Sequence, residues 1–110
     1  MYKAKLLPTA RKDLRRITNY IANVLKNPVA SKNFRKAIGE KLDMLEKFPL
    51  SCAEYQLEQP VELENVYRMA VVKNYAIFYV LNDDTVEIHR ILYAKMDLIN
   101  QFETPDGNNI

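Results

Sequence analysis

The chain has 110 residues, 48% hydrophobic and 27% charged, with a formal net charge of +2, enough for one domain built on one core. A single cysteine (Cys52) and a single histidine (His89) exclude an internal disulfide and leave too few ligands for a zinc centre, and two glycines are too few for a phosphate-cradling loop. No apolar run approaches membrane-spanning length, and the opening "MYKAKLLPTARKDLRR" lacks the apolar stretch of a secretory signal, so the expected setting is the reducing cytoplasm, with no membrane partner and no cofactor.

Along the chain, "YKAKLL" alternates Tyr2, Ala4 and Leu6 with Lys3 and Lys5, which predicts a short half-buried strand. Pro8 then opens a helix in which Ala10, Leu14, Ile17, Ile21, Val24 and Leu25 recur at threes and fours. Its polar face carries Arg11 and Arg15 one turn apart, a basic ridge beside Lys12 and Arg16. Asn27-Pro28 reads as an N-cap followed by a first-turn proline. The second helix runs to about Lys47, with Ala30, Phe34, Ile38, Leu42 and Leu45 inward and Lys32 and Lys36 outward. Two helices joined this tightly make an antiparallel hairpin. Residues 49–65 are acidic and aperiodic, and are expected to form a long loop, with pairing of part of it as a weak strand the alternative.

The period then changes from 3.6 to 2. "VYRMAVV", "YAIFYVL" and "TVEIHRILY" are rich in β-branched and aromatic residues and are separated by Lys73-Asn74 and by Asn82-Asp83-Asp84, which predicts a three-stranded antiparallel meander. A short helix through Met96, Ile99 and Phe102 is expected to follow. The domain thus spans residues 1–102, and 103–110 form a flexible tail. The order is β-α-α-β-β-β. The fold class is α+β, with the helical hairpin on one face of a mainly antiparallel four-stranded sheet.

Charge is unevenly divided: residues 1–48 carry twelve Lys/Arg against four Asp/Glu, and residues 49–110 carry four against ten. A basic front half points to an anionic partner, nucleic acid before membrane. Strict alternation places Arg68 with Val66, Ala70 and Val72, and Arg90 with Val86, Ile88 and Leu92, so each arginine interrupts an apolar row. Such a cation pairs with a carboxylate or faces a ligand. Metal-free RNA cleavage needs a base for the 2′-hydroxyl, cations on the phosphate and an acid for the leaving oxygen. Arg68 and Arg90 suit the phosphate, since guanidinium grips it bidentately. Tyr93 suits a proton donor or a stacking platform, and Lys73 and Lys95 add charge. His89 alternates away from Arg90 in mid-strand and reads as a bystander. Glu58 and Glu62 are the carboxylates the loop offers as a base. Cys52 has no placed histidine partner, which argues against a cysteine nucleophile.

The segments "PTARKDLRRITNYIA", "ASKNFRKAIGEKLDMLEKFP" and "YRMAVVKNYAIFYVLNDDTVEIHRILYAKMD" together resemble the RelE/ParE superfamily of type II toxin–antitoxin toxins. The matching features are an arginine opening the second strand, an Asn-Tyr hairpin, and Ile88-x-Arg90-Ile91-Leu92 followed by an aromatic and by Asp97. The resemblance implies a growth inhibitor silenced by a cognate antitoxin, which lays a helix or an extended segment on the toxin. For the RelE type it implies a ribosome-dependent mRNA endonuclease. Arg68 and Arg90 would then be its phosphate arginines, Tyr93 would stand where relatives carry histidine or tyrosine, and Arg11, Arg15, Lys32 and Lys36 would meet ribosomal RNA. The ParE type implies instead inhibition of DNA gyrase without nuclease residues. At this point the ribonuclease is the preferred expectation and the gyrase inhibitor the alternative.

Overall fold

The computed structural model describes residues 2–54 and 66–94. The expected helix through Met96, Ile99 and Phe102, the tail, Lys95, Glu58 and Glu62 lie outside the described residues.

Each element follows from a local signal. Strand β1 (Lys3–Leu6) ends against Pro8, which stands in the first turn of helix α1 (Pro8–Asn19). There its missing N–H costs nothing. The α1 helix widens into a π-helical turn over Tyr20–Val24, where Leu25 N–H reaches Tyr20 O, and the chain then reverses at Lys26 with φ 53°. Asn27 restarts it: its Oδ1 accepts Ala30 N–H at 3.0 Å, and Pro28 opens helix α2 (Pro28–Lys47). The helices are clamped by a small polar cluster. Ser31 Oγ donates to Thr18 O at 2.7 Å, and Arg35 donates to Thr18 Oγ1 at 3.3 Å.

The meander forms as expected, as β2 (Arg68–Val72), β3 (Tyr75–Asn82) and β4 (Thr85–Tyr93). Both hairpins close in two residues, not two and three. Each first turn residue, Lys73 (φ 55°) and Asp83 (φ 54°), is left-handed, the backbone sense that matches strand twist. In the sheet order β1-β4-β3-β2, β1 runs parallel to β4 and every other pair is antiparallel. The middle strand β3 is buried from Tyr75 to Val80, which explains its unbroken apolar run. Helices cover one face, over a core of Ile17, Phe34, Ile38, Leu45, Ile77, Tyr79 and Ile88. On the other face Ala76, Phe78 and Leu92 cluster with Tyr67 and Met69.

One irregularity decides where side chains point. Between β3 and β4, Phe78 is opposite Arg90 and Tyr79 is opposite Ile88, so His89 has no partner and forms a β-bulge. A bulge inserts one residue and breaks the alternation beyond it. Val86, Ile88 and Ile91 therefore all join the helix-side core, with Tyr93 packed against it, while Leu92 joins the opposite cluster. Of the row expected to hold Val86, Ile88, Arg90 and Leu92, the extra residue moves Leu92 to the opposite face, while Arg90, opposite Phe78, still carries its guanidinium to helix α1.

Candidate functional site

Arg90 is turned into the protein. Its Nε and a terminal nitrogen donate to the two oxygens of Asp13 in α1 at 2.8 and 3.2 Å, across 77 residues of sequence. Asp13 is 1% exposed and Arg90 5%. The same carboxylate accepts Ile91 N–H at 3.0 Å and Arg16 at 3.1 Å. Geometry explains the fit. β1 pairs with β4 only as far as Ile88. Beyond that point the β4 backbone needs another acceptor, because a buried N–H without a partner is costly. Asp13 stands where β1 has ended. Sequence reasoning missed it, although the signal was present: Asp13 is three residues after Ala10 and four before Ile17, on the helix's apolar stripe.

Arg68 does point to the helix side, as alternation expected, and binds there as an anchor. It donates to Cys52 O at 2.7 Å and lies 3.7 Å from Glu54, which also bridges to it through the backbone. Beside it Tyr79 donates its hydroxyl to Pro49 O at 2.8 Å. Burial holds the Tyr79 phenol well above the usual tyrosine range, and nearby Cys52 adds to this.

Tyr93 lies at the far end of the sheet. It is opposite Tyr75, ring centroids 5.4 Å apart, and Tyr75 in turn packs on Phe34 at 4.9 Å. Burial raises the Tyr75 phenol, Tyr93 raises it further, and Arg16 opposes them. These rings wall a groove of about 540 Å³ between the hairpin tip and the sheet end, lined also by Tyr20, Asn33 and Lys73.

The expected trio is therefore not assembled. Along β3, Tyr93 is level with Tyr75 and Arg68 with Tyr79, which is roughly 13 Å along the strand and roughly 10 Å across it. Arg68 and Arg90 stand on strands separated by β3, and their guanidiniums hold different partners. No single phosphate spans these groups. Arg11, Arg15, Lys32 and Lys36 on the helical hairpin and Lys73 in the β2–β3 turn are all exposed. Arg11 also donates to Leu6 O at 3.3 Å.

The bulged His89 is less idle than its sequence position suggested. Its Nδ1 lies 3.1 Å from the Tyr67 hydroxyl and its Nε2 lies 3.5 Å from Glu87, whose other oxygen accepts Asn82 at 3.3 Å. Among the described residues no group of three or more His, Cys, Asp or Glu is placed to hold a metal, and no helix is long and apolar enough to cross a membrane.

Two helices on a four-stranded mixed sheet in β-α-α-β-β-β order define a RelE/ParE-class α+β domain, as the sequence resemblance implied. Residues 4–98 match the family described as the ParE toxin of the type II toxin–antitoxin system, parDE, and the chain belongs to that family. Among solved structures, one similar to it is a chain of the chromosomal ParDE toxin–antitoxin system from P. aeruginosa. The two are 20% identical with a TM-score of 0.64, over 83% of this chain and 94% of that one, a likeness of fold. No curated protein sequence matches the chain.

Proposed function

We propose that this toxin is of the gyrase-inhibiting type, acts by binding rather than by cleaving RNA, and is silenced by a cognate antitoxin. The observation that carries the reading is the match to ParE toxins across residues 4–98. The placement of the arginines supports it. Arg90 is committed to Asp13, and Arg68 and Tyr93 stand too far apart to serve one phosphate, whereas metal-free cleavage needs its acid and its cations within hydrogen-bond reach of the same reacting group. The same geometry favours this reading over the mRNA-cleaving one. An inhibitor that only binds needs none of these groups to converge. It needs a shaped, charged surface, and the basic hairpin supplies one.

The test is one induced culture read two ways, with supercoiling by purified DNA gyrase assayed beside it. The expected result is blocked supercoiling and DNA damage, with primer extension showing intact mRNA. Codon-positioned mRNA ends with normal supercoiling would overturn the reading in favour of the ribosome.

A further inference from the structure

The tip of the helical hairpin is apolar and cationic at once. Val24, Leu25 and Val29 are 64%, 57% and 67% exposed. Three large apolar side chains this open within one short turn mark an interaction surface rather than ordinary scatter. From Leu14 to Gly39 the chain carries Arg15, Arg16, Lys26, Lys32, Arg35 and Lys36, and no Asp or Glu.

Leu25 leads from this tip into the tyrosine-walled groove of about 540 Å³, where Ile21, Ala30 and Phe34 continue the apolar wall. Among the described residues Lys73 is the one charged side chain on its lining, and Asn33 offers an amide beside it. A second cation stands behind the wall. Arg16 acts on the Tyr75 phenol. One of its terminal nitrogens donates to Asp13 at 3.1 Å, a carboxylate that also serves Arg90, and the other is buried with no hydrogen-bond partner. A mainly apolar cavity of this size with a few convergent polar groups is the usual form of a binding site, and the one charge on its lining is positive.

We propose that the hairpin-tip groove is where the toxin grips its target, by receiving an acidic segment of the target enzyme. One large apolar or aromatic side chain of that segment seats among the tyrosines, and flanking aspartate or glutamate faces Lys73 and the tip lysines. The inference rests on the gyrase reading above and names the surface that serves it. Charge and shape select the occupant. A buried aromatic anchor ringed by polar contacts is how such pockets gain affinity, and carboxylates complement a tip that has cations and no acid. A nucleic-acid backbone is the wrong occupant. It would find only one cation on the lining and leave Ile21, Leu25 and Phe34 without an apolar partner. A second copy of this chain is wrong as well, since two such tips meet cation against cation.

The test uses the full chain with purified DNA gyrase, reading the toxin concentration that half-inhibits supercoiling. Leu25 and Asn33 are exposed, so their variants should keep the parent's melting temperature. Asn33→Glu is expected to raise the half-inhibiting concentration about tenfold, by like-charge repulsion with the acidic segment. Asn33→Lys is expected to leave it within about twofold. The two new side chains are both long and both good helix formers, so a difference between them reads charge and not shape. Leu25→Ser is expected to raise it about fivefold by removing apolar contact. Parent-like inhibition by both Leu25→Ser and Asn33→Glu would overturn the groove and leave the gyrase reading standing. A parent toxin that does not inhibit supercoiling would overturn the gyrase reading and this occupant with it. The same variants are titrated with the antitoxin. Weakened antitoxin binding with unchanged inhibition would give the groove to the antitoxin and overturn the proposal.

Discussion

Asp13 accepts four donors at once, from Arg90 twice, from Arg16 and from the Ile91 backbone. A buried carboxylate so fully bonded is tolerable only while every partner is present. Removing it leaves the Arg90 charge buried with its main counter-charge gone, which costs about 3–5 kcal/mol. Asp13→Ala should therefore lower the urea midpoint sharply, while the double change Asp13→Leu with Arg90→Met should recover most of the loss, since apolar residues of similar volume replace such pairs well. An Asp13→Ala protein within ~1 kcal/mol of the parent would refute this account. Tyr79 offers a check by pH. Its folded phenol titrates above the usual tyrosine value of about 10 because it is buried. The stability this confers is fully present below pH 10 and is lost as pH rises through the raised value. Urea midpoints at pH 8 and pH 11 should fall further for the parent than for Tyr79→Phe. An equal fall in both would acquit Tyr79. At this scale the sequence was legible as far as Ile88 and misleading beyond it, where Ile91 and Leu92 exchange faces. Period-2 reasoning assumes an unbroken strand, and the bulge at His89 is fixed by tertiary fit, with no residue-type signal in "VEIHRILY" to announce it.

The elements themselves were easy to read, because each is bounded by a residue with one strong backbone preference. Pro8, Asn27 and Pro28 set helix starts, and the switch to period 2 marks the meander. The π-helical turn over Tyr20–Val24 was not legible. It continues the same apolar stripe as α1, and no residue type in it marks the wider turn. The junction makes opposite predictions for neighbouring residues. Lys26 has φ 53°, a conformation that costs a side-chain-bearing residue roughly 1 kcal/mol, so Lys26→Gly should raise the melting temperature. Asn27→Ala deletes the cap on Ala30 and should cost about 1 kcal/mol, lowering it. Thermal unfolding of both variants reads the two signs, and a shift in the same direction would contradict the geometry.

For the molecule as a whole, the division of labour between layers matters more than any one cation. The helical hairpin holds most of the positive charge, while the sheet supplies most of the apolar core. Arg68 is a test of which function this architecture serves. Its partners are a carbonyl and the exposed Glu54, so Arg68→Ala should cost no more than ~1–2 kcal/mol and leave growth arrest intact in an induced culture. A phosphate-gripping arginine would instead be indispensable, and loss of arrest with the fold retained would revive the nuclease. The pairing of β1 with β4 has a further bearing on the life of a poison in the cell that makes it. Residues 3–6 find their strand partner only in residues 85–88, and Asp13 finds Arg90. Long-range contacts of this kind delay folding until the distant partner exists. While the ribosome is still making the chain, its first strand and first helix have nothing to close against. The toxin's surface therefore appears only after nearly all of it has been synthesised, which gives an antitoxin already in the cell a head start.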